Sequence, residues 1–318
     1  MKDRLNREIN YMRLSVTDRC NLRCFYCRPV EDKEFIPPEE ILSYDEFLKL
    51  IQVAIELGIT RFRLTGGEPL LRPGIDEFIA QIKSLSGIDD LALTTNGLLL
   101  EENLDKLWQA GLRRINISLD TLDEKKYGAI TGSYSLRQVL RAIKMAIEKG
   151  FHPVKINVVL LKGINENIDD FINLAYELPL HIRFIELMSF SSSNSYFLSA
   201  EKVLQMVKKK GQLKLIKLPG SGPARYYQLP GMKGSLGFIT PYSDHFCATC
   251  NRLRVSARGE LRTCLFSNET YDLKFFLRTK TSTHEIKNFL QTILSHKPMS
   301  WHQLHGKRKR ENMRQIGG

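Results

Sequence analysis

The chain has 318 residues, 42% hydrophobic and 26% charged, proportions that suit a globular protein with a sizeable core. The first residues, MKDRLNREIN, are polar and charged, and no run approaches the roughly 18 apolar residues of a membrane span. Neither a secretory signal nor a membrane anchor is therefore expected, and the expected location is the cytoplasm. The net charge of +12 admits nucleic acid, anionic lipid or a polyanionic small molecule as partner, and chooses none of them.

Strands are predicted at residues 11–16, 61–64, 91–94, 114–119, 154–160 and 181–187, with amphipathic stretches between them. Ser43-Tyr-Asp-Glu46 reads as a capping box that opens a helix running to Leu57, where Gly58 stops it. Phe47, Leu50, Ile51, Ala54 and Ile55 follow helical spacing and form its inner face. Further helices are expected at 75–85, 101–110, 136–149 and 169–177. Six βα units with helical crossovers imply a parallel sheet flanked by helices. Six are too few for the eightfold barrel, and an open sheet and a partial barrel fit the period equally.

After Met188 the pattern changes. Residues 189–195 are serine-rich, 201–210 read as a basic helix, and 218–237 are dense in glycine and proline. Short strands are predicted at 236–240, 253–256 and 260–262. The expected division is therefore residues 1–190 and a small α+β region, 191–318. The stretch from His305 to Arg314 reads as a basic tail without the aromatic interleaving that favours single-stranded nucleic acid.

Six cysteines fall into two trios with none left over: Cys20, Cys24 and Cys27, then Cys247, Cys250 and Cys264. In a cytosolic chain such clusters are metal ligands or redox groups more often than disulfides. The first trio is C-x3-C-x2-C directly after the first strand, where the loops of parallel α/β folds build active sites. Three thiolates on one short loop hold three irons of a [4Fe–4S] cluster and leave the fourth open. Structural zinc takes four ligands, and no fourth Cys or His lies nearby. The second trio, C-x2-C-x13-C, leaves two readings open, because His245 is available to complete a zinc site.

The first trio, with Tyr26 before its last cysteine, resembles the signature of the radical S-adenosylmethionine superfamily. Thr65-Gly-Gly-Glu-Pro69 resembles that superfamily's loop for the cofactor's amino group, with glycines allowing close backbone approach. The run from Gly237 to Arg254, with Leu261-Arg-Thr-Cys264 after it, is similar to the C-terminal signature of the GTP 3′,8-cyclase family of molybdenum cofactor biosynthesis. Matches at Arg61–Pro69, Leu93–Gly97, Asn116–Asp120, Lys155–Val159, Arg183–Met188 and the terminal Gly317-Gly318 extend the resemblance over nearly the whole chain.

The resemblance implies a partial (βα)6 TIM-like barrel with a C-terminal extension carrying a second cluster. It implies two [4Fe–4S] clusters, held by Cys20, Cys24 and Cys27 and by Cys247, Cys250 and Cys264. Tyr26, Gly67, Ser118 and Met188 are then expected to line the S-adenosylmethionine site. Arg13, Arg63, Thr94, Lys155, Arg252, Leu253 and Arg254 are expected to contact GTP, whose guanine takes the second cluster's open iron. The implied reaction is lyase-type: a 5′-deoxyadenosyl radical takes hydrogen from ribose C3′, and the carbon radical closes onto guanine C8. A further electron and proton give 3′,8-cyclo-7,8-dihydroguanosine triphosphate. Expected partners are GTP, an external electron donor and, by hand-over, cyclic pyranopterin monophosphate synthase. Neither nucleic acid nor membrane is expected, and the chain is a monomer or homodimer.

The residues agree with this chemistry. A triphosphate carries about four negative charges, and arginine binds phosphate through paired hydrogen bonds. Arg13, Arg63 and Lys155 sit on three otherwise apolar strands, where a solvated surface role fits poorly. Two segments depart from the family pattern: Ser189-Phe-Ser-Ser-Ser-Asn194, and Ala257-Arg-Gly259 in place of Ala-Asp-Gly. The rival readings are a peptide-modifying radical enzyme with an auxiliary cluster, and a two-zinc nucleic-acid-binding protein. The second leaves the Gly-Gly-Glu-Pro loop and the βα period unexplained.

Overall fold

The computed structural model describes residues 1–27, 35–188, 193–218, 220, 222–304 and 313. The 189–192 part of the serine loop, most of the basic tail and Gly317-Gly318 lie outside the described residues.

The first 188 residues alternate as expected. The strands are β1 (Tyr11–Ser15), β2 (Arg61–Thr65), β3 (Asp90–Thr95), β4 (Arg114–Ser118), β5 (Val154–Leu160) and β6 (His181–Glu186). The helices among them are α1 (Tyr44–Glu56), α2 (Ile75–Ser84), α3 (Leu100–Gln109), α4 (Glu124–Thr131), α5 (Leu136–Glu148) and α6 (Asp169–Glu177). α1 opens on the expected box: Ser43 accepts from the Glu46 amide at 3.1 Å, and Glu46 accepts from the Ser43 amide at 2.6 Å. α4 was not expected. Its sequence, EKKYGAIT, carries a glycine and too few apolar residues for a periodic signal, and an Asp123 side-chain cap starts it.

The C-terminal part adds α7 (Ala200–Lys208), β7 (Lys214–Ile216), β8 (Arg225–Gln228), β9 (Ser235–Ile239), β10 (Arg252–Val255), β11 (Glu260–Arg262), β12 (Tyr271–Asp272), α8 (Lys274–Arg278) and α9 (Thr283–Ser295). All twelve strands form one mixed sheet in the order β12-β11-β10-β1-β2-β3-β4-β5-β6-β9-β8-β7. β10 lies parallel to β1 and β9 parallel to β6, so the C-terminal residues extend both edges of the first six strands. β7 and β8 form a hairpin that was not expected; β8 falls inside the glycine- and proline-rich stretch, which gave no strand signal.

The pleat separates two chemistries. Met12, Leu14, Phe62, Leu64, Ile182 and Phe184 face the helix layer and are fully buried in the main core. The alternate residues, Arg13, Arg63, Thr65 and Arg183, line a cavity on the other face. β10 and β6, far apart in the sheet order, both line that cavity, so the sheet is rolled; β12 and β7 do not pair, so it stays open. This is an α/β fold consistent with a partial barrel. Among the described residues no helix is long and apolar enough to cross a membrane.

Candidate functional site

The loop after β1 carries the first trio and is strapped down at several points. The Arg23 amide donates to Thr131 O at 2.8 Å and the Phe25 amide to Ile130 O at 3.1 Å, which ties the loop to the end of α4. The Tyr26 hydroxyl donates to Asp120 Oδ2 at 2.6 Å, and the Val159 amide donates to Asp120 Oδ1 at 2.8 Å. Burial raises the Asp120 carboxyl to about 6 even against those two donors. The Cys24 thiol is held well above its usual range by burial, then by Cys27, Asp120 and Cys20.

The glycines after β2 have a role the sequence did not reveal. A Cβ on Gly67 would lie 2.2 Å from Arg19 O, and one on Gly66 2.3 Å from Thr17 O. The Gly67 amide donates to Thr17 O and the Glu68 amide to Arg19 O, both at 2.7 Å. The close approach is therefore to the protein's own chain, the segment that delivers Cys20. Glu68 is fully buried and accepts from the Leu70 amide, the Thr95 hydroxyl and the Asn96 amide at 3.0, 2.8 and 2.7 Å. Asn96 in turn donates to Asn21 Oδ1 at 2.7 Å and approaches Cys20 Sγ at 3.9 Å. The loops after β1, β2 and β3 thus form one bonded unit.

The opposite side of the cavity carries the second trio. Burial favours the neutral Cys250 thiol, but Arg252 and Lys297 outweigh it and bring the group down to about 6. Arg252 Nη2 lies 3.7 Å from Cys250 Sγ, and its guanidinium sits 4.6 Å from the Phe246 ring centre. Cys264 is raised, chiefly by burial. His245 packs edge-on against His302 at 5.2 Å.

Between the trios, cations stand in register. Arg254 of β10 pairs with Arg13 of β1, and Arg13 with Arg63 of β2. Burial, then Arg254, Arg63 and Arg252, hold the Arg13 guanidinium well below its usual range; burial and Arg252 bring Arg254 to about 10. Arg63 Nε donates to the Tyr11 hydroxyl. Arg183, which the sequence reading did not single out, is buried and donates to Asn116 Oδ1 at 2.6 Å. Its signal was the one used for Lys155, a cation inside an apolar strand. Thr94 Oγ1, Asn157 Oδ1 and Arg183 Nε are buried with no hydrogen-bond partner among the described residues, and all three residues line the cavity.

The cavity measures about 330 Å³ and all six cysteines line it. Of the expected S-adenosylmethionine residues, Tyr26, Gly67, Ser118 and Met188 line it too. So do Arg13, Arg63, Thr94, Arg252 and Arg254 among those expected at GTP. Lys155 and Leu253 do not. Leu253 is fully buried in the core on the other face of β10, which leaves it only backbone atoms to offer a ligand. Lys155 lies beyond the lining, 5.3 Å from the Tyr226 ring centre, and burial, then Arg183, Arg114 and Arg63, lower it to about 6.

The donor sets fit clusters. Each trio supplies three thiols to a shared cavity, the number of protein ligands that a [4Fe–4S] cluster with one open iron takes.

Residues 14–175 match the radical SAM superfamily, and residues 180–303 match the Molybdenum Cofactor Synthesis C family. By fold, the chain resembles Streptococcus suis SuiB bound to S-adenosylmethionine, with a TM-score of 0.59 at 16% identity, covering 89% of this chain and 68% of that one. GTP 3′,8-cyclase of Desulforamulus reducens is 46% identical and that of Pelotomaculum thermopropionicum 45%, each over 100% of both chains. The chain belongs to the radical SAM superfamily and, within it, to the GTP 3′,8-cyclases.

Proposed function

We propose that this chain converts GTP to (8S)-3′,8-cyclo-7,8-dihydroguanosine 5′-triphosphate, the first step of molybdenum cofactor biosynthesis. The observation that carries the reading is the shared cavity, in which two cysteine trios face each other across a row of buried arginines. On this reading Cys20, Cys24 and Cys27 hold the superfamily's [4Fe–4S] cluster, with S-adenosylmethionine against Tyr26, Gly67, Ser118 and Met188. Cys247, Cys250 and Cys264 hold a second cluster facing the guanine. When bound, the first cluster and its cofactor supply the one-electron chemistry that begins at ribose C3′.

The chain's own residues position the substrate. Arg13, Arg63 and Arg254 project from neighbouring strands at one register, so their charges converge where a triphosphate needs them. Their mutual repulsion is relieved when the polyanion arrives, which makes the site selective for high negative charge. Thr94, Asn157 and Arg183 offer the polar atoms left over for the ribose and base. The apolar and aromatic wall of Met188, Phe266 and Trp301 limits water. We place the S-adenosylmethionine half in residues 1–190 and the guanine half in 191–318, in a cytoplasmic enzyme supplied by an external electron donor. Product passes to cyclic pyranopterin monophosphate synthase.

Anaerobic reconstitution with iron and sulfide analysis tests the reading. Two clusters require about eight iron per chain; two zinc without sulfide would overturn it. Cys264→Ser should keep about four iron and S-adenosylmethionine cleavage while losing the cyclised product.

A further inference from the structure

Behind the second trio, away from the arginine row, lies a buried cation that the proposed reaction does not use. Lys297 follows α9 and is only 2% exposed. Its ammonium donates to Arg252 O at 2.9 Å and to Thr263 O, the carbonyls two residues after Cys250 and one before Cys264. One side chain therefore joins the two segments that carry those cysteines.

Arg7 completes the frame from the chain's N-terminal end. It forms a buried ion pair with Asp3 at 2.6 Å and donates to Cys247 O at 2.9 Å and Pro298 O at 2.8 Å. Weaker contacts at 3.4 Å reach Lys297 O and Met299 O. The carbonyl of Cys247 and the backbone beside Cys250 and Cys264 are thus all gripped by two buried cations.

The two cations differ in charge balance. Arg7 is neutralised by Asp3. Burial lowers the Lys297 ammonium below its ordinary value; Cys250 and Cys264 oppose that shift, and Arg7 and Arg252 add to it. Burying an ammonium is costly, and its two carbonyl bonds satisfy its donors without supplying an opposite charge. A lysine here is explained if something anionic stands in front of it. A cluster on three thiolates is anionic and gains a further negative charge on reduction, and nearby charge is one of the levers on its potential.

We propose that Lys297 is the fixed counter-charge of the second cysteine trio: it positions the Cys250 and Cys264 segments and raises the reduction potential of the cluster they hold. The inference rests on the second-cluster reading above. Arg7 and Asp3 act as the neutral brace that keeps Lys297 in place.

The test uses full-length, anaerobically reconstituted protein, with midpoint potentials read by electron paramagnetic resonance during a redox titration. The first cluster is marked by its response to S-adenosylmethionine. Lys297→Gln keeps a donor for the carbonyls but no charge; it should retain wild-type iron, shift the second cluster to a more negative potential and leave the first unmoved. Lys297→Arg should keep the wild-type potential. Full iron with an unmoved potential in Lys297→Gln overturns the inference and leaves the second-cluster reading intact. Zinc without sulfide in the wild-type chain overturns both. If Lys297→Gln loads only one cluster, Lys297→Arg decides: recovered iron and potential support a charge role, and renewed loss assigns the residue to packing alone.

Discussion

The contact between the Gly-Gly-Glu-Pro loop and the cysteine loop makes Gly67→Ala a sharp probe. The added Cβ would stand 2.2 Å from Arg19 O, 2.6 Å from Arg19 C and 2.8 Å from Asp18 O, all backbone atoms with no flexible end to swing aside. Ordinary contact begins near 3.4 Å, so the Arg19 carbonyl has to retreat by about 1.2 Å. The retreat breaks two hydrogen bonds of 2.7 Å, from the Gly67 amide to Thr17 O and from the Glu68 amide to Arg19 O. Overpacking at about 1–3 kcal/mol and two bonds at about 1 kcal/mol each give roughly 3–5 kcal/mol. For a chain of this length that lowers the melting temperature by roughly 5–8 °C. Cys20 follows Arg19 directly, so the first cluster's ligand moves with it, and a displacement of about 1 Å costs roughly 100-fold in turnover. Gly163→Ala is the control: its Cβ meets nothing within 4 Å, so only the left-handed backbone, at about 1 kcal/mol, is felt. Differential scanning fluorimetry, iron content and S-adenosylmethionine cleavage read the result. A Gly67→Ala protein with wild-type melting and turnover would refute the reasoning.

Two further outcomes follow from the buried cations. Lys155, lowered to about 6 from 10.5, is neutral at pH 8 in the ligand-free chain; it stands behind the lining, and a triphosphate that neutralises Arg183 and Arg63 in front of it should restore its proton. GTP binding at pH 8 should therefore take up close to one proton, seen as a buffer-dependent enthalpy in titration calorimetry; identical enthalpies in buffers of different ionisation heat would exclude it. The unfolded chain holds the extra proton between about 6 and 10.5, so the cost of burying Lys155 is absent above that window and grows as pH falls through it. Arg13→Met removes a buried charge crowded by Arg254, Arg63 and Arg252. The ligand-free protein should melt higher, while GTP affinity drops by roughly 2–4 kcal/mol, or 30- to 1000-fold. Unchanged affinity would remove Arg13 from the triphosphate site.

What the sequence determined by itself was local. The C-x3-C-x2-C spacing, the Gly-Gly-Glu-Pro turn, the Ser43 box and the six βα units depend on residues a few positions apart, and each is where it was expected. Features set by remote pairing were not legible. α4 lacks a periodic apolar face, and β8 lies among glycines and prolines, so both take their structure from what they pack against. Nothing in the chain order announced that β10 and β9 would close onto the two edges of the same six strands, which puts both cysteine trios on one cavity. Strand register decided that Arg13, Arg63 and Arg254 stand in one row, and a one-residue difference sent Leu253 into the core instead. Nothing in the sequence marked Arg7 or Lys297; the fold brought Arg7 within hydrogen-bond reach of Cys247, 240 positions away, and Lys297 onto the backbone beside Cys250 and Cys264. Short-range pattern chose the ligands; only the rolled sheet decided what they face.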